Sequence, residues 1–191
     1  MDYYKDIMRE NGLYVLAISE VRRDDSGEED VGDGCIFVWR GRCDDGSKGG
    51  VGFLLSPEAT KAWRQWGSVS TSSDTGRILI LSFKLEGNEG TWTIISVYGP
   101  TSQCETGEKD RFCQELENTY DSFPKDQIVY TTSDFNARVG SRREQDCADI
   151  RETICPYGLG RRNENGERLI NFCIANKLRV EHTSRKHKTS Q

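Results

Sequence analysis

Seven short apolar runs punctuate the chain: Leu13 to Ile18 (LYVLAI), Cys35 to Arg40 (CIFVWR), Gly50 to Ser56 (GVGFLLS), Arg77 to Leu85 (RILILSFKL), Thr91 to Tyr98 (TWTIISVY), Gln127 to Thr132 (QIVYTT) and a last one opening at Leu178 to Glu181. Their length and their β-branched and aromatic content fit strands. EGNEG between the fourth and fifth runs signals a hairpin, and a polar, glycine-rich turn joins the second to the third. Amphipathic stretches separate the others. Residues 2–10 set Tyr4, Ile7 and Met8 at helical spacing; Ser56-Pro57-Glu58 is a capped helix start leading into EATKAWRQW. Residues 108–123 align Phe112, Leu116, Tyr120 and Phe123, and residues 165–176 turn Leu169, Ile170, Cys173 and Ile174 inward. The acidic stretch 24–34 reads as a loop, as does the charged stretch 141–162, which holds Pro156, Gly158 and Gly160. Strands paired mostly by hairpins and interrupted by helices predict an α/β (α+β) fold: a two-sheet sandwich with outer helices, not a doubly wound parallel sheet.

The 191 residues suit one domain, 1–191, and four Trp, seven Tyr and seven Phe exclude a wholly disordered chain. A net charge of −5 argues against a protein that holds nucleic acid mainly by neutralising phosphates. An enzyme that meets phosphate through a metal ion stays open, because such a site needs carboxylates. With no membrane-length apolar run and no signal-peptide stretch in MDYYKDIMRE, an intracellular chain without a membrane partner is expected. The seven cysteines, odd in number and without a CxxC pair, read as reduced, mostly buried thiols rather than zinc ligands.

Glu20, Tyr98 and the pair Asp134 and Asn136 each fall just after a strand-like run. Side chains on one rim of a sheet can converge on a single ion or phosphate. A carboxylate there can orient or deprotonate water, and a neighbouring amide can hydrogen-bond a phosphate oxygen as charge builds. Each residue also has a plainer reading: Glu20 in an ion pair with Arg22 or Arg23, Tyr98 half buried against Pro100, Asp-Phe-Asn as an Asx turn, and Asn163 or Asn165 as a helix cap.

SEVR (19–22), ISVYGPT (95–101) and SDFNARVG (133–140), in this order, resemble the endonuclease/exonuclease/phosphatase superfamily. PYGLGRRNENGERLINFC (156–173) is similar to its LINE-type retrotransposon nuclease domains and to host proteins of the craniofacial development protein kind. The resemblance implies a DNase I-like fold and a Mg²⁺-dependent DNA endonuclease; the chain is then nuclear if DNA is the substrate and otherwise cytoplasmic. It makes Glu20 the metal ligand, Tyr98 a hydroxyl donor to the scissile phosphate, and Asp134 and Asn136 catalytic. It sets Asn163 and Asn165 against substrate phosphate. Gly99 stands where the family more often has Ala, which implies a looser turn. Ser133 stands where Gly is usual, and a positive φ there would cost about 1–2 kcal/mol.

The family's late Ser-Asp-His and early Asn have no counterpart; His182 reads as a strand-end residue and His187 as part of a basic tail. The resemblance therefore implies a domain incomplete at both ends, with uncovered sheet edges and weak activity at best. The alternative is a noncatalytic remnant acting as a binding module; a small-molecule phosphatase has less support from the NENGERLINFC segment.

Overall fold

The computed structural model describes residues 1–41, 49–70, 75–84, 87, 90–124 and 127–186. Residues 42–48 of the turn between CIFVWR and GVGFLLS, most of EGNEG and His187 lie outside the described residues.

Residues 1–98 with 121–134 make one compact unit, and residues 99–120 with 135–191 a second. Among the described residues the first holds eight strands. β1 (Val15–Ser19), β2 (Ser26–Asp30), β3 (Ile36–Arg40) and β4 (Val51–Leu55) form one antiparallel sheet in the order β1-β4-β3-β2. β5 (Ser68–Ser70), β6 (Ile78–Lys84), β7 (Thr91–Tyr98) and β8 (Ile128–Asp134) form the other, in the order β5-β6-β7-β8. β6 and β7 pair antiparallel from Ile78↔Val97 to Lys84↔Thr91, as the hairpin signal requires. β7 and β8 run parallel from Trp92↔Ile128 to Tyr98↔Asp134.

Alternation along each strand gives the first sheet two apolar faces. Ile36, Val38, Val51, Phe53 and Leu55 meet Leu79, Leu81, Phe83 and Tyr98 of the other sheet in one buried cluster. Phe37, Leu54 and Cys35 pack on the opposite face with Met8 of α1 (Asp2–Asn11). α1 turns Lys5 and Met8 inward, whereas Tyr4 is exposed. The Lys5 ammonium is anchored by Val31 O and the carboxylates of Asp33 and Asp2, at 2.9–3.0 Å. α2 (Pro57–Trp66) starts where expected, with the Ser56 hydroxyl accepting from Ala59 N at 3.2 Å and Pro57 at the first position.

The second unit is built on α3 (Thr106–Asp121), α4 (Ala148–Thr153) and α5 (Glu164–Ala175). Phe112, Leu116 and Tyr120 of α3 are buried as their spacing predicts, and the Tyr120 ring meets Phe172 of α5 edge-on at 5.0 Å.

Several expectations need correction. Residues 26–30 are a strand, not a loop: SGEED has no apolar face, but its backbone pairs with β3 at the sheet edge. The stretch 141–162 contains α4 and a buried ion pair. Leu178 to Glu181 forms no strand; Val180 makes one isolated bridge to Ile154 before a 3₁₀ turn at Glu181–Thr183. The six described cysteines are free, but only Cys35 and Cys173 are buried; burial pushes the Cys173 thiol up to about 12. Among the described residues no helix is long and apolar enough to cross a membrane.

Candidate active site

Three of the residues singled out from the sequence meet at one rim of the first unit. Tyr98 ends β7 and Asp134 ends β8, and the parallel register sets them side by side. Glu20 is the first residue after β1. The Tyr98 hydroxyl donates to Glu20 Oε1 at 3.1 Å, joining the rims of the two sheets. Tyr98 is buried, with 7% of its surface exposed, whereas Glu20 and Asp134 open to solvent.

This surrounding keeps the phenol protonated. Burial pushes its pKa up, the hydrogen bond to Glu20 holds the proton further, and the charges of Glu20 and Asp134 act the same way. Arg77 opposes them. Its guanidinium is 5.6 Å from the Tyr98 ring centroid and donates to Tyr98 O at 3.0 Å, while Tyr98 N donates to Arg77 O at 2.9 Å. Sequence reasoning missed Arg77, which lies just before β6 and is 4% exposed. A lone Arg preceding an apolar run carries no periodic signal; its partner is 21 residues away.

The chain leaves β1 through a strained turn. Glu20 and Arg22 both have φ 54°, a left-handed conformation that non-glycine residues rarely adopt. Val21 N and Arg22 N donate to Gly50 O and Gly49 O, at 3.3 and 2.9 Å. A Cβ on Gly50 would come within 2.9 Å of Arg40 O, so this close approach suits glycine. Glu20 also makes the ion pair that a plainer reading allowed: Arg22 Nη2 donates to its Oε2 at 3.1 Å.

The remaining candidates lie in the second unit. Asn136 takes φ 47°, which asparagine tolerates, and its Nδ2 donates to Gly99 O at 2.9 Å. The strain that Ser133 would have borne is therefore absent from Ser133, whose backbone is paired with Val97 in the β8 ladder. Asn163 caps α5: its Oδ1 accepts from Gly166 N at 2.8 Å and from Arg138 N at 2.9 Å. Asn165 is buried and its Nδ2 donates to Pro100 O at 2.8 Å and Asn136 O at 3.0 Å.

The run NENG thus has a structural logic. Two amides tie the start of α5 to segments 99–100 and 136–138, and Gly166 leaves room for Arg138 O, which a Cβ would meet at 1.9 Å. Gly99 tightens the turn it was expected to loosen, since a Cβ there would lie 2.5 Å from Phe135 O.

Nearby in sequence, Arg162 and Asp146 form a two-pronged ion pair at 3.0 and 2.8 Å, with both side chains almost wholly buried. The Arg162 guanidinium holds the Asp146 carboxyl below its usual range. His182 is exposed.

Two four-stranded sheets packed face to face and flanked by helices make a DNase I-like fold. One solved structure that shares it is an AP endonuclease of Leishmania major, at a TM-score of 0.54 and 11% identity, over 73% of this chain and 50% of that one. Among curated proteins the chain is similar to craniofacial development protein 2 of Bos taurus, 29% identical over 96% of this chain. The same protein of Tragulus javanicus also matches at 29% identity over 96% of the chain. The chain spans 28% of the length of the bovine protein. No protein-family model matches the chain.

Proposed function

We propose that the chain carries a Mg²⁺-dependent phosphodiester hydrolase site of the DNA endonuclease type, derived from a LINE-type retrotransposon nuclease and working on DNA in the nucleus. The observation that carries this reading is the Tyr98 hydroxyl bonded to Glu20 at 3.1 Å, with Asp134 beside Tyr98 on the neighbouring parallel strand. A core packed only for stability has no need of two solvent-facing carboxylates around one buried phenol.

The donor set fits Mg²⁺. Glu20, Asp134 and the Tyr98 hydroxyl offer oxygen only, and Mg²⁺ keeps several waters, so one or two carboxylates and a substrate phosphate suffice. Among the described residues no group of three or more His, Cys, Asp or Glu gathers as a denser cage would require. When bound, the ion would supply positive charge to the phosphate and its leaving oxygen. Glu20 would hold it through its carboxylate. Tyr98, kept protonated by its surroundings, would turn its hydroxyl from Glu20 Oε1 to a phosphate oxygen. Asp134 at the end of β8 orients the attacking water and accepts its proton. Contact of Asn136, Asn163 and Asn165 with substrate phosphate has less support, since their amides already serve the backbone.

The binding-module reading draws on the Glu20–Arg22 ion pair and on the chain's histidine content, two residues, of which His182 is exposed. The expected result with supercoiled plasmid and Mg²⁺ is slow nicking, abolished by chelator and by Asp134→Ala. Nicking equal in wild type and Asp134→Ala leaves the binding module as the function.

A further inference from the structure

The two oxygens of Glu20 have different partners: Oε1 accepts from Tyr98, and Oε2 from Arg22. The Arg22 contact is open to water, with 44% of the Glu20 side chain and 59% of the Arg22 side chain exposed. Exposed pairs of this kind are weak, about 0.2–1 kcal/mol. On an extended chain, residues two apart do share a face, but the side chains stand parallel instead of turning toward each other. Here φ 54° at both residues curls the segment, and Gly49 O and Gly50 O hold the curl by taking the two N–H groups of Val21 and Arg22. A strained turn that sets a weak, exposed cation on a carboxylate is a feature that packing alone does not require.

We infer that Arg22 is a counter-ion that occupies Glu20 until a divalent cation takes the carboxylate, and that its displaced guanidinium then binds the phosphodiester of the substrate. The inference rests on the reading of Glu20 as a metal ligand. A dication at Glu20 attracts the carboxylate more strongly than a guanidinium does and repels the guanidinium beside it. The freed group remains on the same turn, in solvent, with the fork of donors that matches phosphate oxygens. In a chain of net charge −5, a cation released beside the site is a local counterweight to the negative field that DNA would meet. Metal and DNA then strengthen each other's binding, because each relieves a cost the other would face.

The test titrates Mn²⁺ into the full chain, with the free ion followed by electron paramagnetic resonance, in wild type, Glu20→Gln, Arg22→Gln and Arg22→Lys. Glu20→Gln should weaken Mn²⁺ binding by ~10-fold or more. Arg22→Gln should tighten it by about two- to fivefold, the worth of an exposed pair, and Arg22→Lys should stay near wild type. In a second arm, anisotropy of a labelled duplex is measured with and without Ca²⁺; wild type should gain affinity on adding the ion, and Arg22→Gln should lose most of that gain. Equal Mn²⁺ binding by Glu20→Gln and wild type removes Glu20 as a ligand, which sinks the proposed function and this inference with it. Weakened binding in Glu20→Gln with unchanged or weaker binding in Arg22→Gln overturns the inference alone. An undiminished Ca²⁺ gain in Arg22→Gln overturns its phosphate half.

Discussion

The two units hold irregular backbone in different ways. In the first, the rim residues stand at the ends of β1, β7 and β8, and their positions are inherited from the ladders and from the core between the sheets. In the second, segments 99–100 and 136–162 have few ladders, and side-chain amides and guanidinium groups satisfy the backbone instead. Asn165 serves Pro100 O and Asn136 O; Arg162 serves Val139 O, Arg142 serves Ile154 O and Arg151 serves Asp146 O. A sheet rim tolerates apolar repacking beneath it, because the ladder sets direction. A loop held by buried polar groups depends on each partner, since an orphaned buried group keeps its full desolvation cost.

The contrast is testable, beginning with the largest effect. Arg162→Met should destabilise the protein by about 3–5 kcal/mol in urea unfolding, because it strands the Asp146 carboxylate in the interior. The double variant Asp146→Leu/Arg162→Met should recover most of that loss. Leu81→Ala, in the core between the sheets, should cost about 2–5 kcal/mol through the cavity it leaves, and no single partner substitution should rescue it. Rescue in the sheet core and none in the polar loop would reverse the comparison.

Asn165→Ala comes next, at about 1–3 kcal/mol for the carbonyls it deprives of a buried donor. Hydrogen exchange should quicken in residues 136–138 while the β6–β7 ladder stays protected; faster exchange in that ladder would show that the two regions are not supported separately.

Acid gives the smallest effect. The Asp146 carboxyl is held below its ordinary value of 3.8, so its contribution to stability is complete above that value and is lost as pH falls through the lower folded value. In that window wild type should lose more stability than Asp146→Leu/Arg162→Met. Parallel pH profiles for the two would remove the ion pair as the cause.

Much of the scaffold was legible locally. The Ser56-Pro57 start of α2, the β6–β7 hairpin and the buried face of α3 each follow from spacing within a few residues. β2 was not legible, since SGEED carries no apolar alternation and becomes a strand only because β3 offers it a partner. α4 was hidden in a charged stretch whose order comes from arginines reaching carbonyls five to twelve residues away. Leu178 to Glu181 had a strand's composition but pairs at one residue only.

For the site, the sequence by itself determined that Glu20, Tyr98 and Asp134 each end an apolar run, because strand exit is a local property of pattern. Only the tertiary structure decided that the three exits share one rim, that Arg77 stands behind Tyr98, and that Arg22 curls back onto Glu20. Register between distant strands and the φ of a single residue are set by packing against groups far away in the chain, and no window of neighbouring residues contains them.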